Sequence, residues 1–213
     1  MTDGKSRCVI VGGADIANYA RVRSFLKDDD FIVYCDSGLR HRVGLGAEPD
    51  LIVADFDSYD DPHLDVETIT LPVAKDDTDS VYAMREGMKR GFSEFLLLGA
   101  IGARLDHTLV NVYILTALEN NGCHGMIIDD YSEMELITPH TGITSVADSY
   151  SFFSLVALEG PARGVTITGA KFNIEDAEIG PDYQYATSNE VLPGWTAEIS
   201  VGKGRLLLIK ITE

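Results

Sequence analysis

Basic residues are scarce in this chain: 17 Lys plus Arg stand against 34 Asp plus Glu, for a formal net charge of −17. Nucleic acids and anionic membrane surfaces are held through basic footprints, so neither is expected as a partner. A phosphorylated substrate stays admissible where metal ions mask its charge locally. No apolar run approaches the roughly 20 residues of a membrane helix. Cysteine is sparse too. Cys8, Cys35 and Cys123 are widely spaced, odd in number and set in apolar runs. They read as small buried hydrophobes in a reducing compartment, with neither disulfide nor zinc spacing. The leading MTDGKSR lacks the apolar centre of a signal peptide, which sets the expected location as cytoplasmic. Repeats, low-complexity tracts and long linkers are also missing. What is present, 213 residues at 45% hydrophobic and 24% charged, suits one large globular domain or two modest ones.

The first 130 residues alternate between two kinds of segment. Strands are expected at Arg7–Val11, Phe31–Cys35, Leu51–Ala54, Phe95–Leu98 and Gly125–Asp129, with a further apolar run at Ile69–Val73 broken by Pro72. Helices are expected from about Asp15 to Lys27, briefly through Val43, from Lys75-Asp76-Asp77-Thr78-Asp79 to Lys89, and from Thr108 to Asn120. This alternation predicts an α/β, Rossmann-like parallel sheet with helices on its faces. Past Asp130 the helical period disappears. Short runs at Met134–Thr138, Ser151–Leu158, Val165–Thr168, Thr196–Val201 and Arg205–Ile211 predict an all-β sandwich, with Gly202-Lys203-Gly204 as a hairpin turn. The expected domains are 1–130 and 131–213.

Three polar clusters fall at or just beyond the carboxyl ends of the first domain's strands. The first is Asp55-Phe56-Asp57-Ser58. Alternation along an extended chain would point both carboxylates one way and Phe56 into the fold, a pairing suited to Mg2+. The second is the KDDTD run, whose acids also suit a helix start. The third is Gly99 to His107, where glycines allow close backbone approach and Arg104-x-Asp106-His107 supplies a guanidinium for phosphate and a carboxylate for a metal or hydroxyl. Facing one crevice, these parts fit metal-assisted phosphoryl or pyrophosphoryl transfer.

The stretches Asp36 to Ser58, Lys75 to Asp79 and Leu97 to Asn111, and more loosely GVTITGAKFNIED and TSNE, resemble the thiamine pyrophosphokinases over nearly the whole chain. The resemblance implies a catalytic, ATP- and Mg-binding α/β domain and a thiamine-binding β-sandwich. It implies a homodimer with a shared active site, ATP as co-substrate, Mg2+, and transfer of pyrophosphate from ATP to the thiamine hydroxyl. Residue by residue, it implies metal ligation by Asp55, Asp57, Asp76 and Asp79, with catalysis carried by Asp57, Arg104 and Asp106. ATP would meet Asp36, Asp55, Ser58, Gly102, Arg104 and His107. Thiamine would meet Asp79, Asp106, Phe172, Ser188 and Asn189. Asp36-Ser37-Gly38 departs from the family at a glycine, and Val156-Ala157-Leu158 replaces a segment that often holds proline.

Rival readings are a haloacid-dehalogenase-like phosphatase, with Asp129-Asp130 as its later acidic pair, a pyrophosphokinase of a pterin alcohol, and a non-catalytic thiamine- or nucleotide-binding module. Tyr59 and the GARLDH segment speak against the phosphatase. Asp57→Asn is expected to nearly abolish turnover while leaving the fold intact; a folded, active variant, checked by circular dichroism and a turnover assay, would remove Asp57 from the metal site.

Overall fold

Short runs of Val, Ile, Leu and Phe make the strands of the first half, and they are buried on both faces. That is why they read as unbroken apolar stretches and not as alternations. The computed structural model describes residues 4–56, 62–72 and 77–212. The chain divides into two units, Met1–Asp130 and Tyr131–Glu213. Unit 1 runs β1 (Arg7–Val11), α1 (Tyr19–Arg23), β2 (Asp30–Cys35), a 3-10 turn (Asp36–His41), α2 (Arg42–Leu45), β3 (Leu51–Ala54) and β4 (Thr68–Thr70). It continues with α3 (Asp79–Arg90), β5 (Glu94–Leu98), α4 (Leu105–Asn120) and β6 (His124–Ile128).

These strands pair in parallel, in the order β4-β3-β2-β1-β5-β6. From β1 the chain works outward to β4, then crosses back to place β5 on the other side of β1. Ligands of open parallel sheets lie at the carboxyl ends beside such a reversal. One face buries Val9, Val11, Ile32, Tyr34, Ile52, Ala54, Leu96 and Leu98 in a common core with Val22, Leu39 and Leu45. At the opposite end of the strands, Arg7 donates to both oxygens of the buried Asp30 at 2.9 and 2.7 Å and ties β1 to β2.

At the reversal the two backbones touch. Gly12 N donates to Leu98 O at 2.8 Å, and Ala14 N donates to Gly99 O at 2.9 Å. A Cβ on Gly12 would lie 2.6 Å from Gly99 O, and one on Gly99 would lie 2.4 Å from Gly12 O. Gly99 also has φ +56°, in the left-handed region.

Several expected boundaries move. The helix expected over 15–27 shrinks to Tyr19–Arg23. Asn18 caps its start by accepting from Arg21 N, and the Ser24 hydroxyl donates back to Arg21 O as the chain turns away. Helix α4 begins at Leu105 and not at Thr108, so Asp106 and His107 sit in its first turn. Strand β4 ends before Pro72, which has no N–H for a ladder. Phe56 leaves the extended conformation at φ +56°, and its ring packs against the core as expected; Asp57, the other half of the expected carboxylate pair, lies outside the described residues.

Unit 2 is antiparallel and contains β7 (Ser132–Ile137), β8 (Thr144–Ala147), β9 (Phe152–Val156), β10 (Ala162–Thr168), β11 (Ile174–Ile179), β12 (Thr196–Ser200) and β13 (Leu206–Ile211). One sheet carries β7-β13-β9 and the other β11-β10-β12-β8. Ile137, Phe153, Leu155 and Leu208 from the first meet Val146, Val165, Ile167 and Ile199 from the second in one core. Strand β12 pairs in one sheet and β13 in the other. Gly202-Lys203-Gly204 is therefore a crossing between sheets and not the expected hairpin turn. No helix among the described residues is long and apolar enough to cross a membrane.

The contact at the reversal makes a direct prediction. Gly99→Ala adds a strained φ and a backbone clash and is expected to cost about 2–4 kcal/mol. Gly91→Ala, at φ +96° with nothing within 4 Å of the added Cβ, should cost only about 1 kcal/mol. Urea midpoints of the two variants check the difference.

Candidate functional site

The carboxyl ends of β1, β2, β3 and β5 open into a cavity of about 710 Å3 within unit 1. Its floor is the glycine contact just described. One wall carries Asp36, Asp55, Asp77 and Asp79, and another carries Gly102, Arg104 and His107. Six residues expected at the site, Asp36, Asp55, Asp79, Gly102, Arg104 and His107, thus line one cavity. Asp57, Ser58 and Asp76 lie outside the described residues.

Local folding explains each placement. Asp36 follows β2 in a left-handed conformation, φ +42°, and is buried. Strain of this kind, in a non-glycine residue at the ligand end of a sheet, is characteristic of functional positions. Thr78 caps α3, accepting from Val81 N at 3.3 Å, which sets Asp79 in the helix's first turn facing the cavity. Asp77 pairs with Arg85 of the same helix. Beneath them Cys35 is buried. Burial pushes its thiol well above the ordinary range, and the carboxylates of Asp79 and Asp36 push it the same way. It is a neutral floor residue and not a nucleophile.

The Gly99–Arg104 loop is held by α4 itself. Thr108 Oγ1 accepts from Gly102 N at 3.0 Å, and Asn111 Nδ2 donates to Ala100 O at 2.8 Å. Thr108 and Asn111, one helical turn apart, were not anticipated; their i, i+3 spacing directly after the glycines was the available signal. Arg40, Asp15 and Ser80 also line the cavity and were likewise missed.

Asp106 is placed differently. It is not among the cavity-lining residues; its carboxylate accepts from Arg104 Nε at 3.0 Å and Nη2 at 2.6 Å, on the exposed start of α4. The guanidinium holds the Asp106 carboxyl well below the usual carboxylate range. So low a proton affinity suits an orienting or charge-balancing carboxylate better than a general base.

Among the described residues, no three His, Cys, Asp or Glu side chains gather closely enough to hold a metal. The donor chemistry nevertheless suits magnesium. That ion keeps several waters and takes one or two carboxylates plus substrate phosphates, and Asp55 and Asp79 both face the cavity.

In unit 2 a second cavity of about 200 Å3 is lined by Phe172, Asn189, Ile167, Ile174 and Tyr185, among others. Phe172 is exposed there, with Lys171 Nζ 5.7 Å from its ring centre. Asn189 is buried, and its amide is already engaged. Oδ1 accepts from Phe172 N at 3.1 Å and Glu190 N at 2.9 Å, while Nδ2 donates to Phe172 O at 2.9 Å. It therefore shapes the loop that presents Phe172. Ser188, adjacent, is exposed with φ +53°, and its N–H donates to Ser154 Oγ at 3.0 Å. Asp130, weighed above as part of a phosphatase pair, accepts from Ala17 N and Asn18 N and so fixes the approach to α1.

Residues 22–127 match the family described as "Thiamin pyrophosphokinase, catalytic domain", and residues 142–206 match "Thiamin pyrophosphokinase, vitamin B1 binding domain". The chain belongs to the thiamin pyrophosphokinase family. The thiamine pyrophosphokinase of Bacillus subtilis (strain 168) is 22% identical over 139 residues, which are 65% of this chain and 64% of that relative, so the match spans less than two thirds of the relative's length. The crystal structure of thiamine pyrophosphokinase from Bacillus subtilis superposes with a TM-score of 0.85 at 20% identity, covering 98% of this chain and 100% of that one. That of thiamin pyrophosphokinase from Geobacillus thermodenitrificans gives 0.82 at 24% identity, covering 97% and 98%. At these identities the two structures establish a shared fold.

The Arg104–Asp106 pair can be tested by titration. Because its folded pKa is depressed, Asp106 should remain ionised below the ordinary value of about 3.9, and the pair's contribution should fade only as pH falls through the lowered value. Carbon-detected NMR of the Asp106 carboxyl should show this midpoint. In Arg104→Met it should rise toward the ordinary carboxylate range, since the guanidinium is the largest cause of the lowering. An unchanged midpoint in the variant would break the assignment.

Proposed function

We propose that the chain is a Mg-dependent thiamine pyrophosphokinase, moving pyrophosphate from ATP to the hydroxyl of thiamine and releasing AMP. The observation that carries this reading is the order of two domain matches, a catalytic domain and then a vitamin B1 binding domain, with a carboxylate-walled cavity at the sheet reversal of the first. We read unit 1 as a Rossmann-like ATP-binding domain and unit 2 as the thiamine-binding one.

In this reading the hydroxyl oxygen of thiamine attacks the β-phosphorus of ATP. The bond from that phosphorus to the α–β bridging oxygen breaks, and AMP leaves. Asp55 and Asp79, with Asp57 and Asp76, would hold magnesium, which when bound screens the polyphosphate and polarises its oxygens. The Gly12–Gly99 floor admits the phosphates close to the backbone. Arg104 balances charge on the migrating group, and His107 and Gly102 line its path. Asp106 orients Arg104 and the acceptor hydroxyl, whose proton passes to a cavity carboxylate or to solvent. Asp36 and Ser58 meet the nucleotide. Phe172 offers a face to the cationic thiazolium, beside Ser188, on a loop fixed by Asn189. A homodimer sharing its active sites, working in the cytoplasm where its three free cysteines stay reduced, completes the proposal.

Incubation with ATP, Mg2+ and thiamine, with nucleotides resolved by chromatography, tests it. AMP that forms only when thiamine is present is expected. ADP, free phosphate or no turnover would overturn the reading, and AMP formed with a pterin alcohol but not with thiamine would move the acceptor.

A further inference from the structure

Arg40 and Arg104 are the only lysine or arginine residues among the described residues that line the unit 1 cavity, against five aspartates. Arg104 is accounted for by Asp106 two residues along the chain. Arg40 has a different setting. Its Nη2 donates to Gly13 O and, at 2.9 Å, to Asp15 Oδ1, across the loop that follows β1.

The root of Arg40 is rigid. The neighbouring His41 is buried, with Nε2 2.9 Å from Ala14 O and Nδ1 2.7 Å from the Tyr19 hydroxyl. These two contacts hold the ring in place, and Arg40 Nε lies 3.4 Å from the same Nε2. Burial lowers the pKa of His41 and keeps the ring neutral. Gly38, in the same turn, is pressed against β1, where an added Cβ would lie 2.2 Å from Val11 O. The Cα of Arg40 is thereby fixed beside the cavity floor.

Its Asp15 partner is the loosely held one. The Asp15 side chain is 95% exposed and that of Arg40 is 42% exposed, and an ion pair so open to water is worth little. A phosphate oxygen is a better partner for a guanidinium, and it would arrive in a cavity whose other walls are acidic. We propose that Arg40 is a second polyphosphate-binding residue, exchanging Asp15 for the phosphates of the donor nucleotide and setting the preference for a triphosphate over a monophosphate. This rests on the ATP-dependent reading above.

Calorimetric titration of the full chain with Mg–ATP and separately with AMP, without thiamine so that no turnover occurs, tests the proposal. Arg40→Gln is expected to weaken Mg–ATP binding about tenfold or more, with AMP affinity within twofold of the parent, which also shows that the variant is folded. Arg40→Lys should recover part of the loss. Asp15→Asn removes the competing anion and should tighten Mg–ATP binding by about two- to threefold. Equal Mg–ATP affinity in parent and Arg40→Gln overturns the role of Arg40 and leaves the nucleotide reading standing. A loss in Asp15→Asn matching that in Arg40→Gln would make the pair a loop strut and also overturns it. Failure of the parent chain to bind either nucleotide removes both readings together.

Discussion

Everything at the cavity depends on two backbones meeting where the strand order reverses. Gly12 and Gly99 lie at the ends of β1 and β5, each close enough to the other's carbonyl that neither position admits a side chain. That contact has two effects. It lowers the floor, so a ligand meets backbone and not side chains, and it splays the following loops outward to opposite walls. The loop after β1 carries Asp15 and accepts Arg40, and the loop after β5 runs into α4 with Arg104 and His107. A β-carbon at either glycine would raise the floor and separate the walls together.

Charge is distributed around this floor with a clear bias. Asp36, Asp55, Asp77 and Asp79 come from three successive connections and converge because parallel strands bring all their carboxyl ends to one edge. Such a concentration of acid is unfavourable in isolation. The protein moderates it locally through Arg85 on Asp77, Arg40 on Asp15 and Arg104 on Asp106. These pairs are partly or largely exposed, where an ion pair contributes little to stability. Buried groups close by, Cys35 and His41, are kept neutral by burial and serve as fixed packing.

Much of this was legible in the sequence because parallel strands announce themselves. Leu51–Ala54 and Phe95–Leu98 are unbroken apolar runs that end in acids or glycines, and both end at the cavity. What was not legible has physical causes. The left-handed turn of Phe56, φ +56°, directly after β3 has no signature in an aromatic residue, which ordinarily favours extended backbone. Strand β11, Ile174–Ile179, holds three acids, one of them the left-handed Asp176, at an irregular register, so it carries no strand-like pattern. Gly202-Lys203-Gly204 has hairpin chemistry but joins strands of different sheets, a distinction of tertiary pairing that local sequence does not encode. Asn189 lines the unit 2 cavity as a candidate contact, and what the sequence did not show is that its amide also bonds Phe172 and Glu190. Arg40 belongs to no spacing pattern, and only the fold carries it to Asp15.

The central claim is that the cavity at the strand reversal holds the magnesium-bound nucleotide. A crystal structure of the chain with Mg2+, a non-hydrolysable ATP analogue and thiamine tests it most directly. The account predicts phosphates resting on the Gly12–Gly99 floor, with the metal on the Asp55 and Asp79 side and a guanidinium within hydrogen-bonding distance. Nucleotide bound elsewhere, with this cavity filled only by water, would contradict it.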